Sequence, residues 1–323
     1  MDKYTSILDM HTGLTKRKVD AESRISKLKS AFGKNSPLFE EHNVCAYCAG
    51  SLGRGDVGQN SDLDLFFITT SPEKDQSHIG EIEMMSVVLK IGNELEYPEF
   101  SNDGAFLKIH SSPKMLDALG APKDDSENLF TTRMLLLLES RSLCNEGIYD
   151  EIIRDIAEHY FRDSRGKKSY RPLFLLNDLL RFWRTLCLNY EIIRDEPNKP
   201  WRKKNINLKF SRMLTIFGTV LPLITRSEYN LDNLISLTKM SPLQRFALGL
   251  DNLNDKTLSN EFREFLDSYE AFLCWKETQD EYPDSNTKFD ELSRNAARSF
   301  SDFIYKVVTH QIIDDELKKY LVI

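Results

Sequence analysis

Gly50-Ser51-Leu52-Gly53-Arg54-Gly55-Asp56 and, eleven residues after Ser51, Asp62-Leu63-Asp64-Leu65-Phe66-Phe67 are the stretches whose reading decides the fold. Val44 to Ala49, just before the first, reads as a short strand. Leu63 to Thr69 is rich in strong β-formers and reads as a second. The segment between them, Gly50 to Ser61, is Gly-, Ser-, Asn- and Asp-rich, a loop with room for a helical turn. Residues two apart on a strand share a face, so Asp62 and Asp64 are expected to project together, their Cα atoms about 6–7 Å apart. Leu63, Leu65 and Phe67 then point the other way, into a core.

Two neighbouring carboxylates repel, and both stay ionised at little cost only with a cation between them. A pair of magnesium ions roughly 3.5–4 Å apart suits that demand, with manganese as the alternative. One ion would carry a triphosphate and the other would acidify an attacking hydroxyl. Upstream, Gly50, Gly53 and Gly55 let backbone N–H groups approach phosphate oxygens, Ser51 adds a hydroxyl and Arg54 a guanidinium. No Lys-Ser/Thr ends this loop, so it is not a Walker A loop, and its spacing is not that of a dinucleotide fingerprint.

Taken together, Gly50 to Asp56 and Ser61-Asp62-Leu63-Asp64-Leu65 resemble the signature of the DNA polymerase beta-type nucleotidyltransferase superfamily. They look most like the nucleotidyltransferase domain of PII uridylyltransferases and their stand-alone relatives. Asp103 through His110-Ser111 is similar to that family's Asp-six-residues-His-Ser segment, and Leu135 to Leu143, with Glu139-Ser140-Arg141, to its leucine-rich Glu/Asp-x-Arg helix. The resemblance covers roughly residues 45–150. It implies a third metal-binding and catalytic carboxylate from a neighbouring strand: Asp103 by its spacing to His110, with Glu99 and Glu96 as alternatives. His110 itself reads more simply as a hydrogen-bonded core or edge residue. Nothing matches the phosphohydrolase and regulatory domains of the PII-modifying enzymes.

The chain has 323 residues, 41% hydrophobic and 29% charged, which suits two domains of an ordinary globular protein. No run of 18 apolar residues occurs, which argues against a membrane span, and the start lacks the features of a signal peptide. An odd set of five cysteines, Cys45, Cys48, Cys144, Cys187 and Cys274, reads as reduced thiols and a cytoplasmic location. Cys45-x-x-Cys48 lies inside a strand-like run without a second ligand pair, so it reads as packing, not zinc or redox chemistry.

Residues 4–32 show helical spacing, residues 79–95 and 113–119 read as helices, and Ala105 to His110 as a third strand. Beyond residue 126 the strand signal ends; 127–143, 147–162, 172–192, 206–224, 229–240, 242–253, 258–279 and 287–309 all carry helical periodicity. The expected architecture is α+β: a small nucleotidyltransferase-type mixed sheet with flanking helices in residues 1–150, then an all-helical domain in 151–323.

Charge divides unevenly. Residues 161–220 carry 14 Lys and Arg against 5 Asp and Glu, a net +9 in a chain whose total is -7. Asn177, Arg181 and Arg184 share one face of an apolar helix. That face either pairs with Asp178 and Glu191 or, with Lys209 and Arg212, binds the triphosphate. Phe182 and Trp183 read as core.

The expected activity is transfer of a nucleoside monophosphate from an NTP, ATP among them, to a hydroxyl on a protein, with RNA or a nucleotide acceptor as the alternative, as in defence or toxin systems. The basic segment is too limited for long duplex nucleic acid. A nucleotide sensor without turnover and a partner-binding helical half are the rival readings.

Overall fold

In a computed structural model of the chain, the structure describes residues 2–100, 107–162, 164, 170–194, 201–277 and 291–322. The chain divides into two compact units. One comprises Arg17–Asp163 with Leu234–Lys239; the other comprises Met1–Lys16, Ser164–Asn233 and Met240–Ile323. The first sixteen residues cluster with the helical unit, and the later division falls near residue 163.

The first unit is α+β. Helix α1 (Lys3–Asp9) lies in the other unit, and the division falls within α2 (Thr12–Gly33), which ends at a glycine as expected. Then come α3 (Ser36–Glu41), β1 (Val44–Cys48), α4 (Gly50–Arg54), β2 (Leu65–Thr69), α5 (His78–Glu94), β3 (Ile109–Ser111), α6 (Ser112–Asp117), α7 (Pro122–Ser126), α8 (Leu129–Glu139), β4 (Arg141–Cys144) and α9 (Glu146–Tyr160).

The sheet runs β3-β2-β1-β4 and is mixed: β1 pairs antiparallel with β2 and β4, and β3 lies parallel to β2. One face buries Val44, Ala46, Cys48, Leu65 and Phe67 against Ile25, Leu28 and Phe32 of α2 and Met84, Val88 and Ile91 of α5. β1 is buried at every position, and the alternation that the sequence implied appears from Leu63 to Phe67.

Strand β4 was not expected. The leucine-rich run reads equally as helix to residue 143, but the helix stops at Glu139, and Ser140 turns extended. Arg141, Ser142 and Cys144 then pair with Cys48, Tyr47 and Ala46 of β1. The ladder hydrogen bonds of β1 outweigh the continued helical spacing of an apolar run. Arg141 also forks onto Glu22 of α2 through two bonds of 2.8 and 3.0 Å. Cys45 and Cys48 stand three residues apart on β1 and so face opposite sides of the sheet. Burial pushes the Cys48 thiol up to about 12. Both observations agree with packing residues.

The second unit is helical: α10 (Leu173–Arg194), α11 (Trp201–Asn207), a π-helical turn (Leu208–Arg212), α12 (Met213–Thr225), α13 (Leu231–Thr238, shared between the units), α14 (Pro242–Leu253), α15 (Ser259–Glu277), α16 (Ala297–Val308) and α17 (Asp315–Tyr320). Ser241 opens α14 with a capping box: its hydroxyl accepts from Gln244 N–H, and the Gln244 side chain accepts from Ser241 N–H. The core is aromatic, with Phe265 on Phe300 at 4.1 Å and Phe210 on Phe272 at 4.8 Å between ring centres. Helix α1 docks here because Asp251 accepts the backbone N–H of Tyr4 at 2.7 Å and the Thr5 hydroxyl at 2.8 Å. One stretch, Lys203–Thr225, is long and apolar enough to cross a membrane, and 67% of its apolar window is buried within the protein.

In the sheet unit, Arg133 of α8 is fully buried and forks onto Asp124, with both bonds at 2.7 Å, while the Tyr160 hydroxyl accepts from its Nε at 3.0 Å. Removing one member strands the other's charge in the interior. Asp124→Ala is expected to lower stability by about 3–5 kcal/mol, measured by urea unfolding. The double variant Asp124→Leu/Arg133→Met should recover most of that loss; an Asp124→Ala protein as stable as the parent contradicts this account.

Candidate functional site

The turn from β1 into α4 is built around Gly50. Its φ of +64° is a conformation that side chains with a Cβ rarely adopt, and a Cβ there would lie 2.0 Å from Asp64 Oδ2. The glycine thus lets the Asp64 carboxylate sit directly against the start of α4. Ala49 N–H donates to the Asp64 carbonyl at 2.9 Å, which carries the β1–β2 pairing one residue beyond the ladder. Asp62 and Asp64 therefore lie on the extended lead-in to β2, not inside the strand as the sequence suggested. Both are exposed, while Leu63, Leu65 and Phe67 are buried, so the expected alternation holds.

Ser51 is buried in the first turn of α4. Gly53 packs on the backbone of α8: a Cβ there would lie 1.7 Å from the Glu139 carbonyl oxygen. Arg54, expected at the phosphates, is buried and turned inward. Its Nε and Nη2 donate to Asp56 at 3.0 and 3.2 Å, and its Nη1 donates to Glu139 at 2.8 Å. The free-cation role gives way to a structural one, because two carboxylates hold the guanidinium inside the protein. Sequence reasoning noticed Asp56 and Glu139 as motif letters but not as partners of Arg54. A buried arginine between glycines is itself a signal that carboxylates must be near.

The remaining expected residues are distributed as follows. Asp103 lies outside the described residues. Glu96 and Glu99 are exposed beyond the end of α5. Among the described residues no group of three or more His, Cys, Asp or Glu side chains is placed to hold a metal, so neither glutamate completes a triad with Asp62 and Asp64. In the helical unit, Arg181 donates to Asp178 at 3.4 Å and Arg184 to the Val322 carbonyl at 3.2 Å. Lys209 and Arg212 fall on the π-helical turn, which packs against α10, and burial lowers the pKa of Lys209. These four basic residues thus come from two adjoining elements. Phe182 is buried and Trp183 packs edge-on to Phe217, the core roles expected of them.

His110 on β3 is buried, and its pKa falls to about 4, first through burial and then through the charges of Lys108 and Lys114. No family model, curated protein or solved structure matches this chain.

Two outcomes follow from this geometry. Gly50→Ala meets a movable carboxylate and a strained φ, so it is expected to cost about 1–2 kcal/mol. Gly53→Ala meets a backbone carbonyl that cannot swing away, and in urea unfolding it should be the more destabilising of the two; the reverse order contradicts the packing described. For His110, the folded pKa lies below the unfolded value near 6.5, so the unfolded chain binds the extra proton. The neutral ring's contribution is complete above pH 6.5 and is lost as pH falls towards 4, roughly 3 kcal/mol in all. Urea midpoints against pH should show a shallower slope over that window in His110→Gln than in the parent.

Proposed function

We propose that the chain is a divalent-metal-dependent nucleotidyltransferase that moves a nucleoside monophosphate from a nucleoside triphosphate to a hydroxyl acceptor and releases pyrophosphate. The observation that carries this reading is the seating of the Asp64 carboxylate against the bare Cα of Gly50, with Asp62 exposed two residues earlier on the same lead-in. That cradle would be filled by any other side chain, and it places hard oxygen donors beside the backbone N–H groups that open α4.

The donor set fits magnesium or manganese, which prefer carboxylate oxygen. Asp62 and Asp64 would hold the metal, with Asp103 proposed as the third carboxylate. When bound, the metal supplies neutralisation of the developing phosphate charge and acidifies the acceptor hydroxyl.

The chain's own residues orient the substrate. The Gly50-Ser51 turn offers N–H groups and a hydroxyl to the phosphate oxygens. Arg54, tied to Asp56 and Glu139, fixes the turn from behind. The acceptor oxygen then bonds to the α-phosphorus as the bond to the pyrophosphate oxygen breaks. A protein hydroxyl is the acceptor we favour.

The test is incubation of the chain with each α-labelled NTP, magnesium and a cell extract. Label transferred to protein, with release of pyrophosphate, is the expected result; label on RNA or a small molecule would reassign the acceptor. Asp64→Ala should fold as the parent does and lose several orders of magnitude in rate. Transfer at the parental rate by Asp64→Ala would sink this assignment, and NTP binding without pyrophosphate release would replace transfer by sensing.

A further inference from the structure

The edge strand β3 borders a cavity of about 230 Å³ that the proposed transfer does not use. It is lined by Lys108 and His110 of the β3 segment, Lys114 of α6, Glu73, and Glu127, Asn128 and Leu129 at the start of α8, among others. In register, His110 pairs with Ile68, four residues along β2 from Asp64, which puts the cavity about 13 Å down the strand from the carboxylates.

His110 is the decisive feature. It is only 6% exposed, lines this cavity, and has no hydrogen-bond partner among the described residues. Its ring nitrogens keep some exposure and, with no protein partner, are open to the cavity, one N–H to donate and one nitrogen to accept. The second feature is α8, an eleven-residue helix whose N-cap residue, Asn128, makes no side-chain capping bond. Asn128 and Leu129 of that helix start line the same cavity, which sets the positive end of its dipole beside it.

The third feature is charge. Lys114 is already held by Glu73 at 2.7 Å and Glu127 at 2.6 Å. Lys108 is exposed and makes no hydrogen bond or close ion pair among the described residues, though its charge acts on Glu127. The charges of both lysines reach the imidazole, and Glu73 and Glu127 line the same cavity. A ring N–H, an uncapped helix start and the exposed Lys108 ammonium can together serve an anion with several acceptor oxygens.

We propose that this cavity is a binding site for a small phosphomonoester, with the phosphate taking the His110 N–H, the Lys108 ammonium and the opening N–H groups of α8. The cavity has room for a small group beyond the phosphate. The site is independent of the proposed transferase activity.

The test is NMR of the His110 ring in the full chain, with EDTA present, during titration with glycerol 3-phosphate, inorganic phosphate and sulfate. Saturable shifts of the ring signals are expected, tightest with glycerol 3-phosphate. A bound anion stabilises the imidazolium against Lys108 and Lys114, so the ring's apparent pKa should rise on binding. Lys108→Met, at an exposed position, should bind about tenfold more weakly, as loss of one charge-assisted hydrogen bond implies. Asp64→Ala should bind as the parent does, which separates this site from the metal-binding carboxylates. Three results would overturn the proposal: no saturable response, equal and weak response to all three anions, or unchanged affinity in Lys108→Met.

Discussion

A single guanidinium joins the parts of the sheet unit that matter. Arg54, at the end of the five-residue helix that follows β1, is held inside the protein by Asp56 from the next turn and Glu139 from the last turn of α8. A buried cation cannot be left without its carboxylates, so this pairing fixes where α4 ends, where α8 ends and how closely they approach. Gly53 rests on the Glu139 carbonyl, Gly50 opens towards Asp64, and the chain leaves Glu139 directly into β4. The exposed carboxylates are thus positioned by a buried interaction.

The sheet carries different chemistry at its two ends. At the start of β2 stand Asp62 and Asp64, acidic and open to water. Near its end, across from Ile68 and Thr69, stands the His110 cavity, with neutral imidazole and ammonium groups. The intervening residues of β2 are largely packed, so one short strand separates the two places.

Much of this was legible because it rests on short-range rules. Period-two alternation in Asp62 to Phe67 located both the core face and the carboxylates. The glycine at 50 marked the end of the first strand. Three things were not legible, each because it depends on residues far apart in sequence. Strand β4 needed the open edge of β1, 93 residues from Arg141 by the Cys48–Arg141 pairing. Arg54 looked like a phosphate ligand because Glu139, 85 positions later, could not be known to meet it. The place of residues 1–16 with the helical unit depended on Asp251 accepting from Tyr4 and Thr5. His110 read as a satisfied edge residue, since nothing local announces that a buried ring lacks a partner.

The contact between Gly53 and the Glu139 carbonyl also governs how this chain can diverge. A polar trio such as Arg54, Asp56 and Glu139 can drift together, each change answered by another side chain. Position 53 has no such freedom, because what it meets is main chain, and no codon changes a carbonyl oxygen. Glycine 53 is therefore the letter in this motif that compensation cannot reach, and in descendants of this sequence it should outlast the charged residues beside it.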